Sequence, residues 1–244
     1  MSDEKPWSIW DPPLVYRHPG TGRITQLAET GYAQSGTSSQ ASIRFSTDKG
    51  HTWSQSIKVP QWQGVNEAYL FRAGNGNLLA ACRTDVPKRL KGKTLDHYEG
   101  LGISISKDDG RNWSAGRKLY DYGRHHPSLV LMPNQDIVMT YVVRLGYVDD
   151  QNGLPQFGIE AVVSRDHGRT WDWDKRFILF RWAMHQSMHS PCSLQLADGR
   201  ILTLFLYHYG AQWGKKGVGG AGRTLGITSA VIWSTDPGKT VSAR

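Results

Sequence analysis

The 244-residue chain is poor in cysteine, with only Cys82 and Cys192. Two cysteines cannot frame a disulfide scaffold, and their spacing is not that of a zinc site. Each lies in an apolar run, so both are expected to be small buried hydrophobes. Nowhere does the sequence approach the roughly 18 consecutive apolar residues of a membrane helix, so no membrane partner is expected. The start, Met1-Ser-Asp-Glu-Lys-Pro-Trp7, lacks the apolar stretch of a secretory signal, which by default points to the cytoplasm. Acidic residues are in deficit, 21 against 29 basic ones, giving a formal charge of +8. That surplus favours anionic partners such as nucleic acid or acidic glycans. The basic residues are scattered and do not alternate with aromatics in a defined module, which argues against nucleic acid. Even the densest basic run, Lys88-Arg89-Leu90-Lys91-Gly92-Lys93, reads as a solvated loop. Helical periodicity is missing too, because the long apolar runs are β-branched and aromatic.

What is present excludes disorder: 39% hydrophobic residues, with ten Trp and ten Tyr. A repeat dominates the rest. Ser46-Thr-Asp48-Lys-Gly50-His-Thr52-Trp53 returns as Ser106-Lys-Asp108-Asp-Gly110-Arg-Asn112-Trp113 and as Ser164-Arg-Asp166-His-Gly168-Arg-Thr170-Trp171. A worn fourth copy, Ser234-Thr-Asp236-Pro-Gly238-Lys-Thr240, has Val241 where Trp would stand. The aspartates are 60, 58 and 70 residues apart. Each copy follows a strand-like run: 41–45, 101–105, 158–163 and 226–233. The residue types suit a hairpin turn, with Asp accepting from turn amides, Gly supplying positive φ, and Trp packing on a neighbouring unit. The boxes are therefore structural. Upstream of each, two apolar runs flank a polar turn, as in Ala68–Phe71, Asn75–Asn77 and Leu78–Cys82, the pattern of an antiparallel hairpin. Each unit thus supplies about four strands, and radial repetition of such sheets is a β-propeller.

The S-x-D-x-G-x-[TN]-W boxes resemble the Asp-box (BNR) repeats of the sialidase superfamily. That resemblance implies a six-bladed propeller with the boxes at the blade periphery, away from the active site. At about 60 residues per blade, six blades need more chain than this. The expectation is a single all-β domain over 1–244, holding about four blades near 7–60, 61–122, 123–182 and 183–244.

The resemblance also implies an arginine triad for the substrate carboxylate, a Tyr nucleophile helped by a Glu, and an Asp acid/base. One stretch matches: Asn66-Glu67-Ala-Tyr-Leu-Phe-Arg72 followed by Ala81-Cys82-Arg83 is similar to the family's N-E-P…R segment. By that match Glu67 supports the nucleophile and Arg83 clamps the carboxylate; the alternative is an ordinary ion pair. Elsewhere the sequence departs from the family. Trp10 stands where the family's R-I-P arginine belongs, no Asp occurs between Ala28 and Arg44, and Ser190-Pro191-Cys192-Ser193 occupies the place of the Tyr.

Other polar residues sit at strand ends, where propeller loops build a pocket. Asp96, His97 and His126 join Glu67 as candidate catalytic groups, since His titrates near neutral pH and a His/carboxylate group can do acid/base work on a glycoside. Arg144, His125, Glu160 and His189 join Arg83 as candidate substrate-binding groups. Adjacent His on an extended strand face opposite sides, so His125 and His126 are not expected to share a metal, and neither metal nor cofactor is expected. His185 precedes the fourth unit, and Trp182 and Trp213 are candidate sugar platforms. The Gly217-Val-Gly219-Gly-Ala-Gly222 run mimics a nucleotide loop but leads into a strand-like run, not a helix, so it reads as a flexible loop. The functional expectation is a sialidase-like glycoside hydrolase, an exo-glycosidase acting on an acidic glycan. The alternatives are a non-catalytic carbohydrate-binding propeller, or a non-sialic glycosidase or lyase on the same scaffold. Oligomeric state is not legible.

Overall fold

A computed structural model describes residues 11–35, 38–90, 98–144, 157–182, 188–209 and 225–236. They form fifteen strands: β1 (Leu14–Arg17), β2 (Ile24–Ser35), β3 (Ser38–Ser46), β4 (Ile57–Gln63), β5 (Val65–Arg72), β6 (Leu78–Thr84), β7 (Gly100–Ser106), β8 (Arg117–Tyr120), β9 (Arg124–Leu131), β10 (Ile137–Val143), β11 (Phe157–Ser164), β12 (Phe177–Trp182), β13 (Met188–Gln195), β14 (Ile201–Tyr209) and β15 (Leu225–Trp233). They assemble as antiparallel meanders: three four-stranded sheets, β1–β4, β5–β8 and β9–β12, and a three-stranded sheet, β13–β15. This is the blade-by-blade, all-β architecture that the repeat predicts.

The chain divides into two compact units, one of residues 1–91 with 99–121 and one of 92–98 with 122–244. In the first, period-two alternation sends Ala28, Ala41 and Ile43 from sheet one and Leu78, Ala80 and Cys82 from sheet two into one core. Trp62 and Trp113 close this core at a centroid distance of 4.7 Å. Leu78 is fully buried, so truncating it to Ala would cost about 2–5 kcal/mol. In the second unit, a buried hydroxyl chain joins the third and fourth sheets. Thr140 Oγ1 lies 2.8 Å from Ser193 Oγ, which lies 2.9 Å from Thr203 Oγ1, and Trp233 Nε1 donates to that threonine at 2.9 Å. Phe180 and Phe205 pack beside it, 5.0 Å apart.

The three full boxes share one bonding scheme. Ser46 Oγ donates to Asp48 Oδ1 and accepts from the Gly50 amide, each at 2.8 Å, while Asp48 accepts from the Thr52 amide and hydroxyl. Ser106, Asp108 and Asn112 repeat it, as do Ser164, Asp166 and Thr170. Bonds from Asn112 and Ser106 hold the Asp108 carboxyl down at about 2. Positive φ falls on two successive residues: the glycine, and the residue before it, Lys49 (63°), Asp109 (59°) or His167 (61°). The fourth copy is out of register. Leu78 faces Ser106 and Ile137 faces Ser164, but Ile201 faces Trp233, so Ser234 lies one residue beyond the box-serine position. The Asp236 amide donates to Ser234 Oγ at 3.0 Å.

Of the two cysteines expected to be buried, one is and one is not. Cys82 is buried, and burial pushes its thiol up to about 12. Cys192 is exposed. The buried face of β13 carries Ser193, and Cys192 lies on the other face with the exposed Leu194. An apolar run in a sheet with an uncovered face does not bury every member.

Candidate functional site

Three sheets depart from regular pairing within their first strand, β9 and β13 at the same step and β5 one residue earlier. On β5, Val65 faces Thr84 and Ala68 faces Cys82, so three steps on β5 match two on β6. The extra residue lies at Asn66-Glu67. On β9 the same count places it at His126-Pro127, and on β13 at Ser190-Pro191. Such a bulge re-aims side chains out of the pleat. It also explains a correction: His125 and His126 do not point to opposite sides. The left-handed φ of 52° at His126 brings the two rings to 4.4 Å in an edge-on arrangement. A non-glycine residue held there, ahead of a proline, costs about 1–3 kcal/mol. Both rings are buried. Among the described residues no group of three or more His, Cys, Asp or Glu could hold a metal ion.

In the first unit the bulge presents Glu67, whose side chain is 3% exposed. Arg83, on β6, reaches it with Nη1–Oε1 at 2.7 Å and also binds Glu99, just before β7, through Nε and Nη2. Asn66 ties the cluster together. Its Nδ2 donates to Glu99 Oε1 at 3.2 Å, and its Oδ1 accepts from the Glu67 amide at 2.7 Å. One guanidinium thus serves two buried carboxylates, a cluster of formal charge −1. Asp11, half-buried ahead of β1, stands near it. Burial, helped by the negative charge of Glu67, raises its carboxyl to about 7.

In the second unit the ratio is reversed. Glu160, on β11 and 1% exposed, accepts from Tyr141 OH at 3.0 Å and from Arg124 Nε at 3.3 Å. Arg181 Nη2 lies 3.3 Å from its other oxygen, and Arg176 Nε 3.6 Å from Oε2. Arg144, immediately after β10, is fully buried, and its amide donates to the Gly123 carbonyl at 2.8 Å.

Of the residues singled out in the sequence, Glu67 and Arg83 meet directly, and so do His125 and His126. Glu160 collects three arginines. Asp96, His97, His185 and Trp213 lie outside the described residues. His189 is placed only by its pairing with Leu206, and Trp182 by its pairing with Phe157. Sequence reasoning missed Asp11 as a site residue, although an Asp ahead of Pro12-Pro13 at the mouth of the first hairpin was its signal. It also passed over Glu99 and Tyr141 as partners of the arginines and of Glu160.

No protein-family model matches the sequence, and no curated protein sequence matches it. Solved structures do. A protein of unknown function from Dyadobacter fermentans is 18% identical with a TM-score of 0.60, over 90% of this chain and 52% of that one. An α-L-arabinanase from Penicillium chrysogenum is 17% identical with a TM-score of 0.59, over 92% and 62%. An α-L-arabinofuranosidase from Fusarium graminearum is 15% identical with a TM-score of 0.60, over 91% and 61%. The chain therefore spans between half and two thirds of the length of these three proteins. At these identities the likeness shows fold alone, and that fold is the β-propeller.

Proposed function

We propose that the chain is part of a glycoside hydrolase whose reacting carboxylates are Glu67 and Asp11, acting on a non-sialic sugar. The observation that carries this reading is the Glu67–Arg83–Glu99 cluster at the β5 bulge. Glycoside cleavage passes through an oxocarbenium-like state and needs one carboxylate to face the developing positive charge and one carboxylic acid to protonate the leaving oxygen. Glu67, buried and held by Arg83, supplies the first. Asp11, which keeps its proton to about 7, supplies the second. Arg83 and Glu99 act as positioning residues.

The same geometry speaks against the sialidase-like assignment of Arg83. A guanidinium engaged through Nε, Nη1 and Nη2 by two carboxylates has no charge left for a substrate carboxylate, and the cluster's net negative charge would repel one. The arabinan-related hydrolases of the same fold lend support to a neutral sugar. His125 and His126, at the bulge of β9, remain proposed site residues, as do Arg144, Glu160 and His189, with Asp96 and His97 beyond the described chain.

Hydrolysis of aryl α-L-arabinofuranosides, other aryl glycosides and aryl sialosides tests the reading. Cleavage of a neutral glycoside is expected. Glu67→Gln and Asp11→Asn should each lower kcat by about 100-fold or more. The kcat/KM of the wild type should fall as pH rises through about 7, a limb absent in Asp11→Asn. Equal rates for wild type and Glu67→Gln would remove Glu67 from the chemistry, and cleavage of sialosides alone would restore the acidic-sugar reading.

A further inference from the structure

A second feature of the first unit has no part in that chemistry. A cleft of about 710 Å³ opens at the box end of sheets one and two. Its floor is the packed Trp113, and its walls carry the half-buried rings of Tyr16 and Phe45. Ile57, 54% exposed on β4, stands at the rim. Two exposed cations, Lys58 and Arg111, flank the opening, with the amides of Gln61 and Asn112 beside them. The one acid in the lining, Asp109, is compensated: Arg72 Nη1 binds it at 2.7 Å, and that guanidinium also covers one face of Tyr16 at 5.0 Å. The cleft is therefore apolar at its walls, amide-lined and cationic at its rim. Its size falls in the range of small-ligand sites, about 300–1,000 Å³.

We infer that this cleft is a non-catalytic binding site for an acidic oligosaccharide. A sugar ring offers an apolar C–H face to Tyr16, Phe45 and Ile57, and hydroxyls to Gln61 and Asn112. Its carboxylate or sulfate groups meet Lys58 and Arg111. A peptide added as a strand fits less well. β4, the edge strand beside the cleft, carries Pro60 in its middle, which has no N–H to donate, and Lys58, a charge of the kind that blunts edges.

The test is affinity electrophoresis through polygalacturonate and, in parallel, through neutral arabinan. Polygalacturonate should retard the wild type strongly and arabinan weakly. Lys58→Glu with Arg111→Glu should weaken retardation by about tenfold or more. Ile57→Ser, an exposed change that leaves the fold alone, should weaken it by several-fold at unchanged charge. The charge-matched control Lys107→Glu with Lys175→Glu should lose little. Equal loss in the control would reduce the effect to the chain's overall positive charge and overturn the site, as would a wild type that polygalacturonate does not retard or an Ile57→Ser protein indistinguishable from it. Hydrolysis by Lys58→Glu/Arg111→Glu should match wild type on a small aryl glycoside, so failure of the hydrolase reading and failure of this one are separately visible.

Discussion

The two units solve the burial of charge in opposite ways. The first sets two carboxylates, Glu67 and Glu99, on the single guanidinium of Arg83. The second sets one carboxylate, Glu160, among Arg124, Arg176 and Arg181 with a tyrosine hydroxyl added. Taking a charge out of water costs several kcal/mol unless a partner offsets it. Where a group is shared, its loss strands everything attached to it. Where a group is one of several, the rest still pair. Each cluster therefore has one pivotal residue: the arginine in the first unit and the glutamate in the second.

The largest expected effects follow from that asymmetry. Glu160→Gln takes the charge partner from Arg124, Arg176 and Arg181 and should cost about 3–5 kcal/mol, as should Arg83→Met, which takes one guanidinium from two buried carboxylates. Glu99→Gln leaves Glu67 and Arg83 as a matched pair, so its cost should be about 1 kcal/mol. Urea midpoints, followed unit by unit through hydrogen exchange, check the ordering. Equal damage from Glu99→Gln and Glu160→Gln would mean that sharing a partner does not set the cost in either cluster.

A smaller effect sharpens the comparison through pH. Asp11 in the folded chain holds its proton to about 7, whereas an unfolded Asp releases it near 3.8. Between those values the native state binds more protons than the unfolded one, so this contribution is complete below about 3.8 and lost as pH rises through about 7. The wild type should gain thermal stability on acidification from pH 8 to pH 5, relative to Asp11→Asn. Parallel melting curves for the two proteins at every pH would remove the proton from Asp11.

The sequence made the sheets and the boxes legible because both are local. Alternating apolar residues fix a strand's faces, and a turn's hydrogen bonds close within five residues, as from Ser46 to Gly50 and from Asp48 to Thr52. The pairing of Glu67 with Arg83 was legible only through resemblance. Their sixteen-residue separation becomes contact because β5 and β6 pair, but the extra residue that aims Glu67 leaves no compositional trace. The same holds for His126, whose left-handed backbone breaks the alternation that a straight strand imposes. Glu160 was legible as a polar residue inside an apolar run, yet its three arginines come from β9, from the turn before β12 and from β12 itself. Cys192 misled because exposure depends on what covers a face, and a run of apolar residues does not encode that.

The box turns offer the finest test of the comparison, since the first unit holds two intact copies and the fourth copy of the chain is displaced. Asp108 accepts from the Asn112 amide, the Asn112 side chain and Ser106, and no other group in that turn can replace it. Asp108→Ala should therefore lower the urea midpoint of the first unit, as the loss of a side-chain cap does. At Asp236 the one-residue slip puts Trp233 where a box serine would pair, and its indole is committed to Thr203 instead. Asp236→Ala should then destabilise less than Asp108→Ala, because Trp233 takes the register a box serine needs. Equal costs at the two aspartates would mean that the fourth turn holds its strands through the same bonds, and that the register of β14 with β15 has no bearing on what the box contributes.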